Sequence, residues 1–209
     1  WSSDVCSSDL IIKLIKLKMN FNTSMNNQMF CPNFYNPIVD QKQMTLTRLK
    51  KEFQLCRQDE DLSEIGCTFG LYPGNDIFKW RVTMFGPEDT PYKGGIFTLK
   101  ILFPENYPYR GPDIRFMNKI YHLNVDPKDG HISLSSINEW HLTGKVHSKP
   151  CYGVKQALFD IFYLFYNQGY DSPYNDKMAD QYINTRENFD KNAREWTQKY
   201  AQLTYENIE

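Results

Sequence analysis

Residues 103–140 read FPENYPYRGPDIRFMNKIYHLNVDPKDGHISLSSINEW, and the fold is decided there. Prolines 104, 108, 112 and 127 and glycines 111 and 130 interrupt its apolar strings, so it reads as ordered irregular backbone wrapped around one short strand. Segments built this way hold side chains where a repeating element cannot, as binding and catalytic loops require.

Upstream, Phe78, Trp80, Val82 and Met84 alternate, as do Phe97, Leu99, Ile101 and Phe103, with the turn GPEDTPYKGG between them. A strand around Cys67–Leu71, a turn at Pro73–Asp76 and a strand at Asp113–Phe116 complete an antiparallel meander of four strands. Before it, Leu46, Leu49, Phe53 and Cys56 recur at helical spacing and predict a helix from about Thr45 to Arg57, broken by the acidic stretch Asp59–Ile65. After the loop, Val154, Ala157, Leu158, Ile161, Phe162, Leu164 and Phe165 predict a helix apolar on most sides. Two more helices come after it, about Asp176–Asn188 and Asp190–Leu203. That order is a single α+β unit.

Lys and Arg number 24 against 25 Asp and Glu, a formal charge of -1 that argues against a nucleic-acid partner. Five scattered cysteines, Cys6, Cys31, Cys56, Cys67 and Cys151, without a CxxC pair suit reduced thiols inside a cell. His141, His147 and Cys151 lack the paired-ligand spacing of a zinc knuckle, so no metal is expected. Residues 1–44 differ in texture from the remainder of the chain: WSSDVCSSDL resembles adaptor-derived sequence, LIIKLIKLKM is too short to span a bilayer, and Asn20–Gln43 reads as linker. The expected division is an extension at 1–44, a core domain at 45–203 and a tail at 204–209.

Together with KWRVTMFGPEDTPYKGGIFTLKILF and the later REWTQKYA, the quoted stretch resembles the ubiquitin-conjugating (E2) enzymes over roughly Leu46–Ala201. The resemblance implies the UBC-like fold: an N-terminal helix, a four-stranded antiparallel sheet, a central helix and two C-terminal helices. It implies no cofactor, a location in cytoplasm or nucleus, and no stable membrane insertion. Its partners would be ubiquitin or a ubiquitin-like modifier, the activating enzyme (E1), and a ligase (E3) or an active conjugating enzyme. The short apolar and basic peptide before Asn20 is similar to one that docks on the activating enzyme in some relatives, but the preferred reading is a flexible tail.

Residue by residue, Ser133 stands where the family carries its thioester-forming cysteine. His122 and Asn124 match the His-Pro-Asn motif with Leu123 in place of proline; Asn124 would stabilise the oxyanion or tie down its loop, and His122 would shape that loop. Asp171 fits a groove carboxylate, Ser172 replaces another, and Asn167-Gln168-Gly169 replaces Asp-Pro-Asn. Arg48, Lys50 and Lys51 would face the activating enzyme, or simply solvent. Phe103 falls at a ligase-binding position but equally continues the core alternation, and Thr68 falls where the back of the sheet binds a second ubiquitin. Relative to the family, the connection from Trp140 to the central helix is about eight residues longer, and Cys151 within it is a possible relocated nucleophile.

A thiol suits acyl relay because part of it ionises near neutral pH, with a reference pKa of about 8.5. A serine hydroxyl without an assigned base and orienting carboxylate is a poor nucleophile. The expectation is therefore an E2-like protein with impaired catalysis that binds ubiquitin-system components and modulates conjugation. The alternatives are a conjugating enzyme whose cysteine is substituted at Ser133, and an interaction module that does not touch ubiquitin.

Overall fold

In the computed structural model, which describes residues 40–138, 140, 153–169 and 173–202, helix α1 runs Gln41–Gln58. It opens four residues before the expected Thr45 because Asp40 caps it, its carboxylate accepting the Lys42 N–H at 3.0 Å. Residues 41–44, assigned from the sequence to the N-terminal extension, thus belong to the helix. The buried stripe is Thr45, Leu49, Glu52 and Cys56, rotated from the expected face so that Leu46 and Phe53 are only half-buried. Asp59 ends α1 and in turn caps a short helix, α2 (Glu60–Glu64), accepting the Leu62 N–H at 3.0 Å. The acidic stretch therefore does more than break the first helix.

Strands β1 (Thr68–Leu71), β2 (Lys79–Phe85), β3 (Ile96–Leu102) and β4 (Asp113–Phe116) form one antiparallel sheet in sequence order. The period-two pattern turns Trp80, Val82, Met84, Phe97, Leu99 and Ile101 inward, where each is fully buried. After β4 come α3 (Ser135–Asn138) and α4 (Val154–Leu164). Phe165, just past α4, lies 5.1 Å from the Phe97 ring, 5.2 Å from Tyr92 and 6.2 Å from Phe116, which seats the helix across the inner face of the sheet.

Helices α5 (Asp176–Asn184) and α6 (Arg186–Tyr200) break at Thr185, about four residues earlier than expected. Thr185 leaves the helical region with φ -141° and ψ 60°, so Phe189 falls inside α6 instead of between helices. It is fully buried against Tyr121 and Tyr182. The end of α6 is tied to the sheet: Ala201 O accepts the Ile96 N–H at 2.8 Å, and Tyr200 O accepts Asn118 Nδ2 at 3.0 Å.

One polar cluster joins α1, the loop after β3 and α4. The Glu52 carboxylate accepts Arg48 Nε at 2.6 Å, Tyr107 Oη at 2.7 Å and the Val154 N–H at 3.4 Å. Gly153, the N-cap of α4, offers no side chain, so Glu52 supplies the anion that a helix N-terminus favours. Arg48 also lies over the Tyr107 ring, 5.5 Å from its centroid. Arg48 is therefore committed inside the domain and does not project outward as an activating-enzyme contact would.

Beside this cluster an aromatic chain runs Phe53–Trp80–Phe103–Tyr107–Trp140, with ring centroids 4.8 to 5.8 Å apart. Phe103 is its middle member and only 7% exposed, which resolves its two readings in favour of core. Gly111 admits the last member: a Cβ there would stand 2.7 Å from the Trp140 side chain.

Removing Glu52 leaves a buried guanidinium, a phenol and a helix N-terminus unanswered. Glu52→Ala is expected to lower stability by about 3 kcal/mol, and Tyr107→Phe by about 1 kcal/mol, in urea unfolding.

Candidate active site

The segment Val125–Ser133 doubles back on itself. Asp126 Oδ1 accepts the Lys128 N–H at 2.8 Å, Asp129 Oδ1 accepts the His131 N–H at 3.0 Å, and Gly130 has φ +73°. A side chain at Gly130 would strike the Phe116 carbonyl, 1.9 Å from its Cβ, so glycine is required. Bridges Val125↔Ile132 and Arg115↔His131 fix the turn against β4. As a result Ser133 N–H donates to Asn124 O at 2.7 Å, placing the two positions paired by the sequence pattern side by side.

His122 is 2% exposed. Its Nδ1 accepts the Asn124 N–H at 3.0 Å, so Nε2 carries the proton and donates to Leu164 O at 3.0 Å. Both ring nitrogens are thus used by one neutral tautomer. Burial pushes the imidazole pKa down to about 4, the bond to Leu164 O opposing only part of that effect. His122 holds the loop and is not placed for proton transfer.

Asn124 is 4% exposed, and its side chain faces Gly169: Oδ1 accepts the Gly169 N–H at 2.9 Å while Nδ2 donates to Gly169 O at 2.9 Å. The amide ties its loop to the segment after α4. One Nδ2 proton is committed in this way, and the second has no acceptor among the described residues.

Leu123 and Gln168, read in the sequence as two separate departures from the family pattern, turn out to be one contact. The Leu123 N–H, which a proline could not supply, donates to Gln168 Oε1 at 3.0 Å. Gln168 Nε2 then donates to Tyr92 Oη at 2.8 Å, and Tyr92 Oη donates to Tyr121 O at 2.8 Å. Leu123, Gln168 and Tyr92 are all buried, so the join is a fully hydrogen-bonded interior contact. Sequence reading missed Tyr92 and gave Gln168 no partner, because each answers a residue far along the chain.

Among the described residues no hydrogen bond reaches the Ser133 hydroxyl. His131, two positions earlier, instead directs Nδ1 at Tyr174 Oη, 2.5 Å away, and their rings meet edge to face. Among the described residues no base is therefore paired with Ser133. Tyr174, a second missed residue, is anchored by its own N–H to Leu123 O at 3.0 Å. Asp171, Ser172, Cys151, His141 and His147 lie outside the described residues, among which no cluster of potential metal ligands occurs. No helix of the described residues is long and apolar enough to cross a membrane.

A groove of about 550 Å³ lies beside the turn, lined by Tyr109, Arg110, Arg115, His131, Ile137 and Trp140. Tyr109 is 63% exposed, the projecting aromatic that buried Phe103 is not. On α1, Lys50 and Lys51 are exposed, unlike Arg48; Thr68 is exposed on β1.

Because the folded His122 titrates near pH 4 and the unfolded side chain near 6.5, the unfolded chain alone takes up a proton between those values. Its contribution is complete above pH 6.5 and is lost as pH falls towards 4, amounting to about 3 kcal/mol. Urea midpoints of His122→Gln are expected to fall less steeply than those of the unaltered chain across this window.

Residues 48–197 match the family model for the ubiquitin-conjugating enzyme. Among solved structures, the E2 domain of a Toxoplasma gondii ubiquitin conjugating enzyme is 31% identical with TM-score 0.63, the match covering 76% of this chain and 99% of that one. A Plasmodium yoelii protein assigned as a ubiquitin conjugating enzyme is 33% identical with TM-score 0.65, the match covering 76% of this chain and 96% of the other. With the family model matching most of the chain and both structures more than 30% identical over nearly their whole length, the chain belongs to the ubiquitin-conjugating enzyme family.

Proposed function

We propose that this chain uses a conjugating-enzyme scaffold to bind ubiquitin-system components and modulate conjugation, without itself sustaining acyl relay. Ser133 carries the reading. The resemblance puts the family's thiol at this position, its backbone N–H is held by Asn124 O, and His131, the one imidazole close to it in sequence, is turned towards Tyr174. An unassisted hydroxyl is un-ionised at neutral pH, and an ester formed there would be slow to pass its acyl group to a lysine because an alkoxide leaves less readily than a thiolate. Binding needs none of that chemistry. Exposed Lys50 and Lys51 suit an activating enzyme, and Tyr109, in place of Phe103, suits a ligase.

A second reading, a conjugating enzyme lacking only its sulfur, is favoured by the intact packing around the site. His122, Asn124 and Leu123 are each satisfied by hydrogen bonds, so a thiol at 133 would enter a finished loop. In that setting the free Nδ2 proton of Asn124 would meet the oxyanion formed as lysine attacks.

Charging assays with activating enzyme, ubiquitin and ATP test both readings. The unaltered chain is expected to give no reducing-agent-sensitive adduct, whereas Ser133→Cys gives one. Adding Asn124→Ala to Ser133→Cys is expected to slow lysine modification about a hundredfold with little effect on charging. A reducible adduct on the unaltered chain, with repeated lysine modification, overturns the leading reading.

A further inference from the structure

Leucine at position 123, unlike proline, has no ring to lock φ, so the backbone that aims Asn124 must be restrained by other means. Two side chains supply the restraint. Gln168 Oε1 accepts the Leu123 N–H at 3.0 Å, Gln168 Nε2 donates to Tyr92 Oη at 2.8 Å, and Tyr92 Oη donates to Tyr121 O at 2.8 Å. The main-chain groups on either side of His122 are thus closed into one ring of hydrogen bonds. Tyr92 is fully buried, its ring 5.7 Å from His122 and 5.2 Å from Phe165, and Gln168 is 2% exposed. Bonds so enclosed have no ready replacement from water.

Both ends of the ring are anchored. At one end the Tyr121 phenol donates to Gln181 Oε1 at 2.5 Å, and its ring packs 5.2 Å from Phe189 and 5.5 Å from Trp196. At the other, Gln168 is followed by Gly169, whose N–H and carbonyl each hold the Asn124 carboxamide at 2.9 Å. A Cβ at 169 would stand 3.2 Å from Asn124 Nδ2, so that amide lies against bare backbone. Consecutive residues, 168 and 169, therefore grip consecutive residues, 123 and 124. Movement of Gln168 moves the group that holds Asn124.

We propose that Gln168 and Tyr92 are positioning residues for Asn124: through the Leu123 N–H they set the direction of its carboxamide, and with it the Nδ2 proton that has no acceptor among the described residues. Both act through the loop backbone and not on a reacting atom. The geometric part holds for the unaltered chain. Its consequence for rate rests on the reading in which Ser133→Cys restores relay and Asn124 meets the oxyanion.

Two measurements test this. In the full, 15N-labelled chain, Gln168→Met keeps the side-chain length without either hydrogen bond, and Tyr92→Phe removes only the phenol oxygen. Both are expected to move the Asn124 side-chain NH2 resonances, whereas Tyr107→Phe, a core change elsewhere, leaves them in place. In the Ser133→Cys chain, either substitution is expected to slow transfer from the charged cysteine to free lysine about tenfold in kcat, with the KM for lysine unaltered and charging slowed far less. With Asn124→Ala also present, the same substitutions are expected to slow transfer no further, because the carboxamide they aim is gone. Unmoved Asn124 resonances overturn the proposal whatever the rates. Equal slowing with and without the Asn124 side chain, or charging slowed in step with transfer, overturns it as well. Should Gln168→Met fail to fold, Tyr92→Phe decides the matter alone. A Ser133→Cys chain that takes no ubiquitin overturns the relay reading, and the resonances then still decide the positioning role.

Discussion

The carboxylate of Glu52 is the constraint on which the frame depends. It is a buried charge on the first helix, and such a group persists only where donors surround it. Arg48 comes from its own helix, Tyr107 from the loop after β3, and the Val154 N–H from the first turn of the central helix. Three segments distant in sequence are therefore held at one point, and the aromatic chain from Phe53 to Trp140 passes beside it. Lys155 adds a second tie, meeting Asp59 at 2.5 Å and Asp61 at 3.0 Å. With α4 fixed at its start, Phe165 at its end is set among Tyr92, Phe97 and Phe116, and the segment carrying Gln168 and Gly169 continues from there.

The site is assembled from backbone more than from charge. Asn124 engages Gly169 through both ends of its amide, His122 uses both nitrogens on main-chain atoms, and Ser133 is placed by its own N–H. Such a loop keeps its shape whatever side chain occupies position 133, because none of these bonds involves that side chain. The shape of the loop is thereby separable from whatever chemistry position 133 supports.

Much of this was legible beforehand. Alternation located the strands within a residue, since one buried face imposes period two, and β4 falls at the anticipated Asp113–Phe116. Helix ends were less legible because caps decide them: Asp40 lengthened the first helix and Thr185 divided the last two early. The stripe on α1 was misread because two polar residues, Thr45 and Glu52, are buried in it. Thr45 Oγ1 lies 2.7 Å from Tyr107 O and 2.8 Å from Glu105 O, carbonyls about sixty positions away. Phe103 could not be assigned from alternation alone, since period two names a side of the strand and not what covers it.

The join between Leu123 and Gln168 has a consequence for how this sequence can change. Proline at 123 alone would leave Gln168 Oε1 without its donor in the interior, and proline at 168 alone would strand the Leu123 amide. Each single exchange gives a less stable protein, so the two positions act as a ratchet against replacement by proline one at a time.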